Sequence, residues 1–236
     1  MVSATHEAMS EYIGLEFSER LTQSEDKFAL SGSPFHGEQM LSVSLETLNR
    51  HWYGHLAGYV NRLNSRIDEV NKLGVRVIEE SLIFADYTLR NLMQSRDVWV
   101  RNYASGVYNH LFYFEALNKD SFLPDEFRAL LEKHFGDTEK MQEAFMAQVR
   151  INIGSGYIWM MHNDQRGVHF RWTPNLLNPL WEDTPPTWRG KPLWCVDLWE
   201  HAWYLDHLTL DSYVNKIWDT VNWEVVTERA KKYGLL

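Results

Sequence analysis

Between residues 44 and 66, apolar or aromatic side chains recur at Leu45, Leu48, Trp52, Leu56, Tyr59, Val60 and Leu63. That spacing is close to the period of one helix face and predicts a helix over 44–66. Ser44 is its N-cap, with Glu46 and Thr47 in the first turn. Residues 67–93 carry a break near Gly74 and read as short helical pieces. A second long helix is predicted over 96–117, through Val98, Val100, Tyr103, Val107, Phe112 and Leu117. Gly106 inside it costs about 1 kcal/mol in helix propensity, which points to a need for a small residue there. Asn118 to Pro124 is polar and turn-like, and a domain boundary is placed there. Helices follow at 124–134 and 138–153.

After residue 155 the pattern changes. The runs 156–162, 168–173 and 192–198 are rich in aromatic and β-branched residues and predict strands. Asp164-Gln165-Arg166-Gly167 is a hairpin turn between the first two. The stretch 174–191 is a proline-rich loop with Pro174, Pro179, Pro185 and Pro186, and Pro192 follows it. Helices at 210–220 and 222–232 close the chain. The expected fold is α+β: an antiparallel helical hairpin domain over 28–119, then an α/β domain over 120–236. Residues 1–27 are an extension, in which Ser10 to Leu21 could form a short amphipathic helix with Tyr12, Ile13, Leu15, Phe17 and Leu21 as its apolar positions.

Composition narrows the class. The chain has 236 residues, 44% hydrophobic and 23% charged, with 11 Trp, 11 Tyr and 11 Phe, so an ordered globular protein is expected. No run approaches the roughly 18 apolar residues of a membrane span. The one cysteine, Cys195, cannot form an internal disulfide and is read as a small buried hydrophobe. A net charge of -9 argues against nucleic acid as a partner. Residues 1–27 hold Glu7, Glu11, Glu16, Glu19, Glu25 and Asp26 against Arg20 and Lys27, which matches neither a mitochondrial presequence nor a secretory signal. A cytoplasmic location is the expectation.

Ten histidines and 32 acids leave many metal-ligand combinations open. Position favours four residues. His51 and His110 lie on the two long helices, which can pack antiparallel and face a common site. Asp197 and His201 are four apart where a strand ends and a turn can bring them together. Three imidazoles and a carboxylate suit iron or manganese, although the same acid–histidine spacing is also that of a surface ion pair. Trp52, Trp99, Trp218 and Trp223, at helical spacing, are assigned to the core. His6, His36, His134, His162 and His207 are assigned to surface or capping roles.

At these residues the chain resembles the iron/manganese superoxide dismutases. Asp197-Leu198-Trp199-Glu200-His201-Ala202-Trp203-Tyr204-Leu205 is similar to that family's Asp-x-Trp-Glu-His-Ala-Tyr-Tyr signature. Glu46-Thr47-Leu48 leading to His51, His55, Tyr59-Val60 and Leu63-Asn64 is similar to its first helix. Tyr108 to Phe112 is similar to its second, and Gly154-Ser155-Gly156, Trp159 and Val221 to Glu224 are similar to its C-terminal domain. The resemblance implies one Fe or Mn ion per chain on His51, His110, Asp197 and His201. It implies Tyr59 at the mouth of the substrate funnel, His55 beside it at the gate, and Trp159 and Trp199 in an aromatic wall. It implies a homodimer or higher oligomer in which Glu200 reaches the other subunit's His201. The implied reaction takes superoxide and protons to dioxygen and hydrogen peroxide.

The chain departs from the pattern near the site. Family members place a glutamine against the metal-bound solvent, either four residues before the second ligand or just after a Pro-Asn pair. Those positions are Gly106 and Leu176 here, with Asn178 or His169 as candidate substitutes. Tyr157 stands for the usual tryptophan, and Trp203 for the tyrosine that bonds across the dimer. The stretch from Asp206 to Tyr213 is one residue short and lacks the usual Arg-Pro. The loop 176–191 is about five residues longer than usual and carries Trp181 and Trp188. A dismutase-like metal-binding or structural protein with altered or lost activity is the alternative reading.

Overall fold

The computed structural model describes residues 17, 19–23, 27–35, 42–74 and 88–236. His6, His36 and most of the proposed helix from Ser10 lie outside them. Leu21, the last apolar position of that proposed helix, instead opens a strand. β1 (Leu21–Gln23) pairs antiparallel with β2 (Phe28–Leu30), Leu21 opposite Leu30.

The first long helix begins at Ser44 as expected. The Ser44 hydroxyl accepts from the Thr47 N–H at 3.2 Å and caps α1 (Leu45–Arg50). The helix then widens into a π turn, His51–Leu56, before α2 (Ala57–Lys72). It ends six residues beyond the expected position 66, because Ile67 and Val70 continue the buried stripe of Leu56, Val60 and Leu63. Gly74, with φ +67°, lies just past its end. A single turn, α3 (Leu89–Leu92), precedes α4 (Val98–Glu115).

Contacts divide the chain into two units. The first takes in residues up to Pro34 together with Trp52–Leu111. In it the Asn64 amide accepts from the Phe28 N–H at 2.9 Å and donates to the Phe28 carbonyl at 2.8 Å, which fixes β2 against α2. Asp97 caps α4 by accepting from the Trp99 and Val100 N–H groups and takes a forked pair from Arg66 on α2. Trp99 is 54% exposed, so it is not a core residue. Its neighbours on the buried face, Val100, Ala104 and Val107, fill the core instead.

The second unit comprises Phe35–His51 and Phe112–Leu236. It holds α5 (Asp125–Phe135), α6 (Thr138–Arg150), and a sheet of β3 (Gly156–Asn163), β4 (Gly167–Pro174) and β5 (Lys191–Asp197). α7 (Leu210–Lys216) and α8 (Trp223–Lys232) follow. All three strands are antiparallel in the order β4-β3-β5. Helix α6 stops three residues short of the expected 153, and Ile151 and Ile153 beyond it are exposed. At the hairpin the Asn163 side chain accepts from the Arg166 N–H, and Gly167 takes φ +65°.

Register sorts the sheet's side chains. Directly opposed residues share a face, so Met160, Phe170 and Trp194 point one way. They pack with Phe135 and Phe145 from α5 and α6 and with the half-buried Trp218. Tyr157, Trp159, Thr173 and Asp197 point the other way, where Trp159 meets Phe112 at 5.5 Å between ring centroids. Arg229 on α8 is 2% exposed and holds the last turn of α4: it donates to the Phe112 and Leu193 carbonyls and pairs with Glu115 at 3.0 Å.

Candidate metal centre

Each candidate ligand is delivered by a local feature of the backbone. His51 is the first residue of the π turn and is 1% exposed. Single π turns are frequent at functional sites because they add a residue to the turn and shift the phase of the side chains after it. His110 is buried on α4, and Asp197 is the buried last residue of β5. His201 sits in the 3-10 turn Glu200–Ala202.

Asp197 divides its two oxygens. Oδ1 accepts from the Trp199 N–H at 2.8 Å, which fixes the carboxylate plane. Oδ2 faces His51 Nε2 at 3.4 Å and His201 Nε2 at 3.7 Å. The His51 and His201 rings lie 4.6 Å apart at 72°. His110 Nδ1–H donates to the Gly106 carbonyl at 2.6 Å, which makes Nε2 the nitrogen that would meet an ion. One donor atom from each of His51, His110, Asp197 and His201 lies within 4.8 Å of all the others.

This arrangement fits an ion. Donors held about 2.0–2.2 Å from a common centre lie about 3–4.4 Å from each other, and the contacts of Asp197 Oδ2 with His51 Nε2 at 3.4 Å and His201 Nε2 at 3.7 Å fall in that range. Three imidazole nitrogens and one carboxylate oxygen are borderline donors suited to Fe or Mn. His51 and Asp197 also favour the protonation states that ligands need. Burial lowers the His51 imidazole and keeps it neutral, against the pull of Asp197. Burial by itself would raise the Asp197 carboxyl, but His201 and His51 outweigh it and hold the group well below the usual carboxylate range.

Aromatic rings surround the ligands. Phe114 meets His51 edge-on at 4.8 Å, and Tyr113 lies 5.6 Å from the same ring. Trp199 stacks on His201 at 5.8 Å, and Tyr59 lies 5.2 Å from His110. Trp159 is fully buried and donates through its indole N–H to the Thr173 hydroxyl at 2.9 Å. Tyr59 is half-buried, His55 and Glu200 are exposed, and Leu176 is buried. A Cβ at Gly106 would lie 2.5 Å from the Tyr59 ring, which accounts for the small residue there.

Of the two candidate substitutes for the absent glutamine, His169 is excluded by register. It pairs with Met161, four residues along β3 from the Tyr157 that pairs with Asp197. That offset is about 13 Å of strand. The Asn178 side chain accepts from the Leu180 N–H at 2.9 Å. Sequence reasoning missed Tyr113, whose hydroxyl meets that of Tyr213 at 3.0 Å. It also missed Asp206, whose Oδ2 accepts from the Ser44 N–H at 2.7 Å and the Thr47 hydroxyl at 2.6 Å. These contacts join residues 100 or more apart and leave no local signal.

Comparison with known proteins agrees with the geometry. Residues 124–229 match the family described as iron/manganese superoxide dismutases, C-terminal domain. A protein of Helicobacter pylori named superoxide dismutase (Fe) is 34% identical over 215 residues, 88% of this chain and 92% of the relative. Proteins of the same name from Plasmodium falciparum and Coxiella burnetii are each 30% identical, over 87% and 80% of this chain and 94% and 90% of theirs. The chain belongs to the iron/manganese superoxide dismutase family.

Proposed function

We propose that this chain dismutates superoxide, converting two superoxide ions and two protons to dioxygen and hydrogen peroxide. The observation that carries the reading is the convergence of His51, His110, Asp197 and His201 within 4.8 Å. One Fe or Mn ion held there supplies a one-electron couple between trivalent and divalent states. The residues do the rest. Asp197 places one negative charge beside the three imidazoles, where it would offset part of the ion's charge in both states. Its Oδ1 is fixed by Trp199 N–H, so the carboxylate keeps one orientation through the cycle. Phe114, Tyr113 and Trp199 exclude water from the imidazole faces. Tyr59 and His55 carry the gate, a reading supported by the Tyr59 ring lying 5.2 Å from that of His110.

The working form is a homodimer or higher oligomer, with Glu200 reaching the partner subunit's His201. The exposure of Glu200 beside exposed Tyr204, Leu205 and Leu208 supports this reading. No helix among the described residues is long and apolar enough to cross a membrane. The lone Cys195 fits a reducing, cytoplasmic setting. Elemental analysis paired with dismutase activity on one sample tests the proposal. The expected result is close to one Fe or Mn per chain with activity, and loss of both in His201→Ala. Full metal without activity in the native chain would overturn it, as would full metal in the variant.

A further inference from the structure

Within the first unit, helices α2 and α4 leave a cleft of about 380 Å³ on the surface. Asn61, Arg62, Ser65 and Arg66 line it from α2, and Trp99 and Tyr103 line it from α4. Arg62 and Arg66 are one helical turn apart, as are Trp99 and Tyr103, so a row of guanidinium groups faces a row of rings. The two rings lie 6.0 Å apart at 31° and make one tilted wall. Among the described residues neither guanidinium stacks on either ring, so the space between the rows is open.

The two guanidinium groups differ in what they are free to do. Arg66 is committed, to Asp97 at 2.6 Å and to Glu69 at 2.9 Å. Arg62 is exposed and makes no hydrogen bond or ion pair among the described residues. Glu69 also lines the cleft, about 10 Å along α2 from Arg62, and its negative charge turns an entering anion towards the Arg62 end. On the facing helix Trp99 is 54% exposed, and Tyr103 extends its surface. An indole left half in water beside a second ring is a platform on which a third ring can stack.

We propose that this cleft binds a small aromatic carboxylate. The ligand's ring lies against Trp99 and Tyr103, and its carboxylate takes a forked pair of hydrogen bonds from Arg62. A guanidinium matches a carboxylate two bonds to two oxygens, and an aromatic pair gains more than the area it buries. Asn61 and Ser65, beside Arg62 in the lining, offer hydrogen bonds to a ring hydroxyl. The volume is at the low end of the range of about 300–1,000 Å³ for ligand pockets, which suits a molecule of one ring. The cleft is separate from the metal centre: along α4, Tyr103 stands about 10 Å from His110.

The test is calorimetric titration of the metal-loaded protein with 4-hydroxybenzoate at pH 7.5. Two comparison ligands each remove one feature: 4-hydroxybenzamide lacks the charge, and cyclohexanecarboxylate lacks the aromatic ring. One saturable site per chain is expected, with a Kd of about 1 mM or tighter for a ligand this small. The amide should bind at least tenfold more weakly and the cyclohexane acid at least fivefold more weakly. Arg62→Leu and Trp99→Leu should each weaken 4-hydroxybenzoate at least fivefold and keep the native metal content, and Arg62→Lys should fall between. If either variant does not fold, the three ligands on the native chain still decide. Absence of saturable binding would overturn the proposal, as would an amide or a cyclohexane acid that binds as tightly as 4-hydroxybenzoate. Full affinity in Arg62→Leu would place the ligand elsewhere, the metal centre included, and would overturn it too. A change of oligomeric state in Trp99→Leu, read by sedimentation, would make the cleft a contact between copies of the chain and end the small-molecule reading.

Discussion

Gly106→Ala is the sharpest test of how the second ligand helix is positioned. The added Cβ would lie 2.5 Å from Tyr59 Cδ1 and 2.7 Å from Cε1 and Cγ. Ordinary carbon contacts are about 3.5–4.0 Å, so the ring must retreat by about 1 Å. Overpacking of this kind costs about 1–3 kcal/mol. Against it stands a gain of about 1 kcal/mol from replacing glycine inside a helix. The balance is a loss of about 1 kcal/mol, or about 2–4 °C in Tm for a chain of this size. The effect does not stay local. Gly106 also accepts the His110 Nδ1–H, and the displaced Tyr59 ring is the one 5.2 Å from His110. Metal retention should therefore fall along with stability.

Gly58→Ala is the matched control. It lies in α2 with nothing within 4 Å of its would-be Cβ. It should raise stability by about 0.5–1 kcal/mol. Urea unfolding of the metal-loaded proteins and metal per chain are the two readouts. In the double variant Gly106→Ala/Tyr59→Leu the loss should shrink, because the smaller side chain vacates the space. If Gly106→Ala stabilises as much as Gly58→Ala, the reasoning fails: Tyr59 is then not held over α4.

Three further outcomes are expected. Asp206→Ala removes the acceptor for Ser44 N–H and the Thr47 hydroxyl and should cost about 1–2 kcal/mol in urea unfolding, with no change in the slope of the transition. Arg229→Met strands the Phe112 and Leu193 carbonyls and Glu115, and should cost about 3 kcal/mol by the same measure. Arg66 chiefly, with the Val100 and Trp99 N–H groups, holds the Asp97 carboxyl below its ordinary value against the effect of burial. Asp97 thus adds stability above that ordinary value of 3.8, and the contribution is lost as pH falls through the depressed one. Asp97→Asn should lower stability at pH 7 and flatten the stability curve below about pH 4 in a series of unfolding measurements.

The elements that could be read from sequence are those whose signal is local. The strands 156–162 and 168–173 emerge within a residue of their observed ends, since alternation and the Asp164–Gly167 turn are short-range. The convergence of His51, His110, Asp197 and His201 could be expected because all four sit within motifs. What escaped depends on phase or distance. A helical count runs straight through the π turn at His51–Leu56, because the buried positions Leu48, Trp52, Leu56 and Val60 fall four apart, a spacing that an α-helix also uses. Trp99 shares helical spacing with core residues, yet spacing names a face and not what covers it. His169 had the right chemistry for the missing hydrogen-bond donor, and only the β3–β4 register reveals that it faces the wrong end of the sheet.

The geometry of the centre rests on one short segment. Asp197 and His201 are themselves ligand candidates. A few residues on, Asp206 binds the Ser44 N–H and the Thr47 hydroxyl, and His207 donates through its Nε2–H to the Ser42 carbonyl. Those contacts set the start of the helix that delivers His51. The segment from 197 to 207 therefore places two ligands directly and a third through its helix cap. This explains how an exposed carboxylate such as Asp206 can matter to a buried site. A shift of the cap rotates α1 and carries His51 away from Asp197 Oδ2, now 3.4 Å from it. Loss of Asp206 should therefore lower the metal content of the folded protein, and not only the free energy of unfolding. A cap that acted on helix stability alone would leave the metal content at its native level.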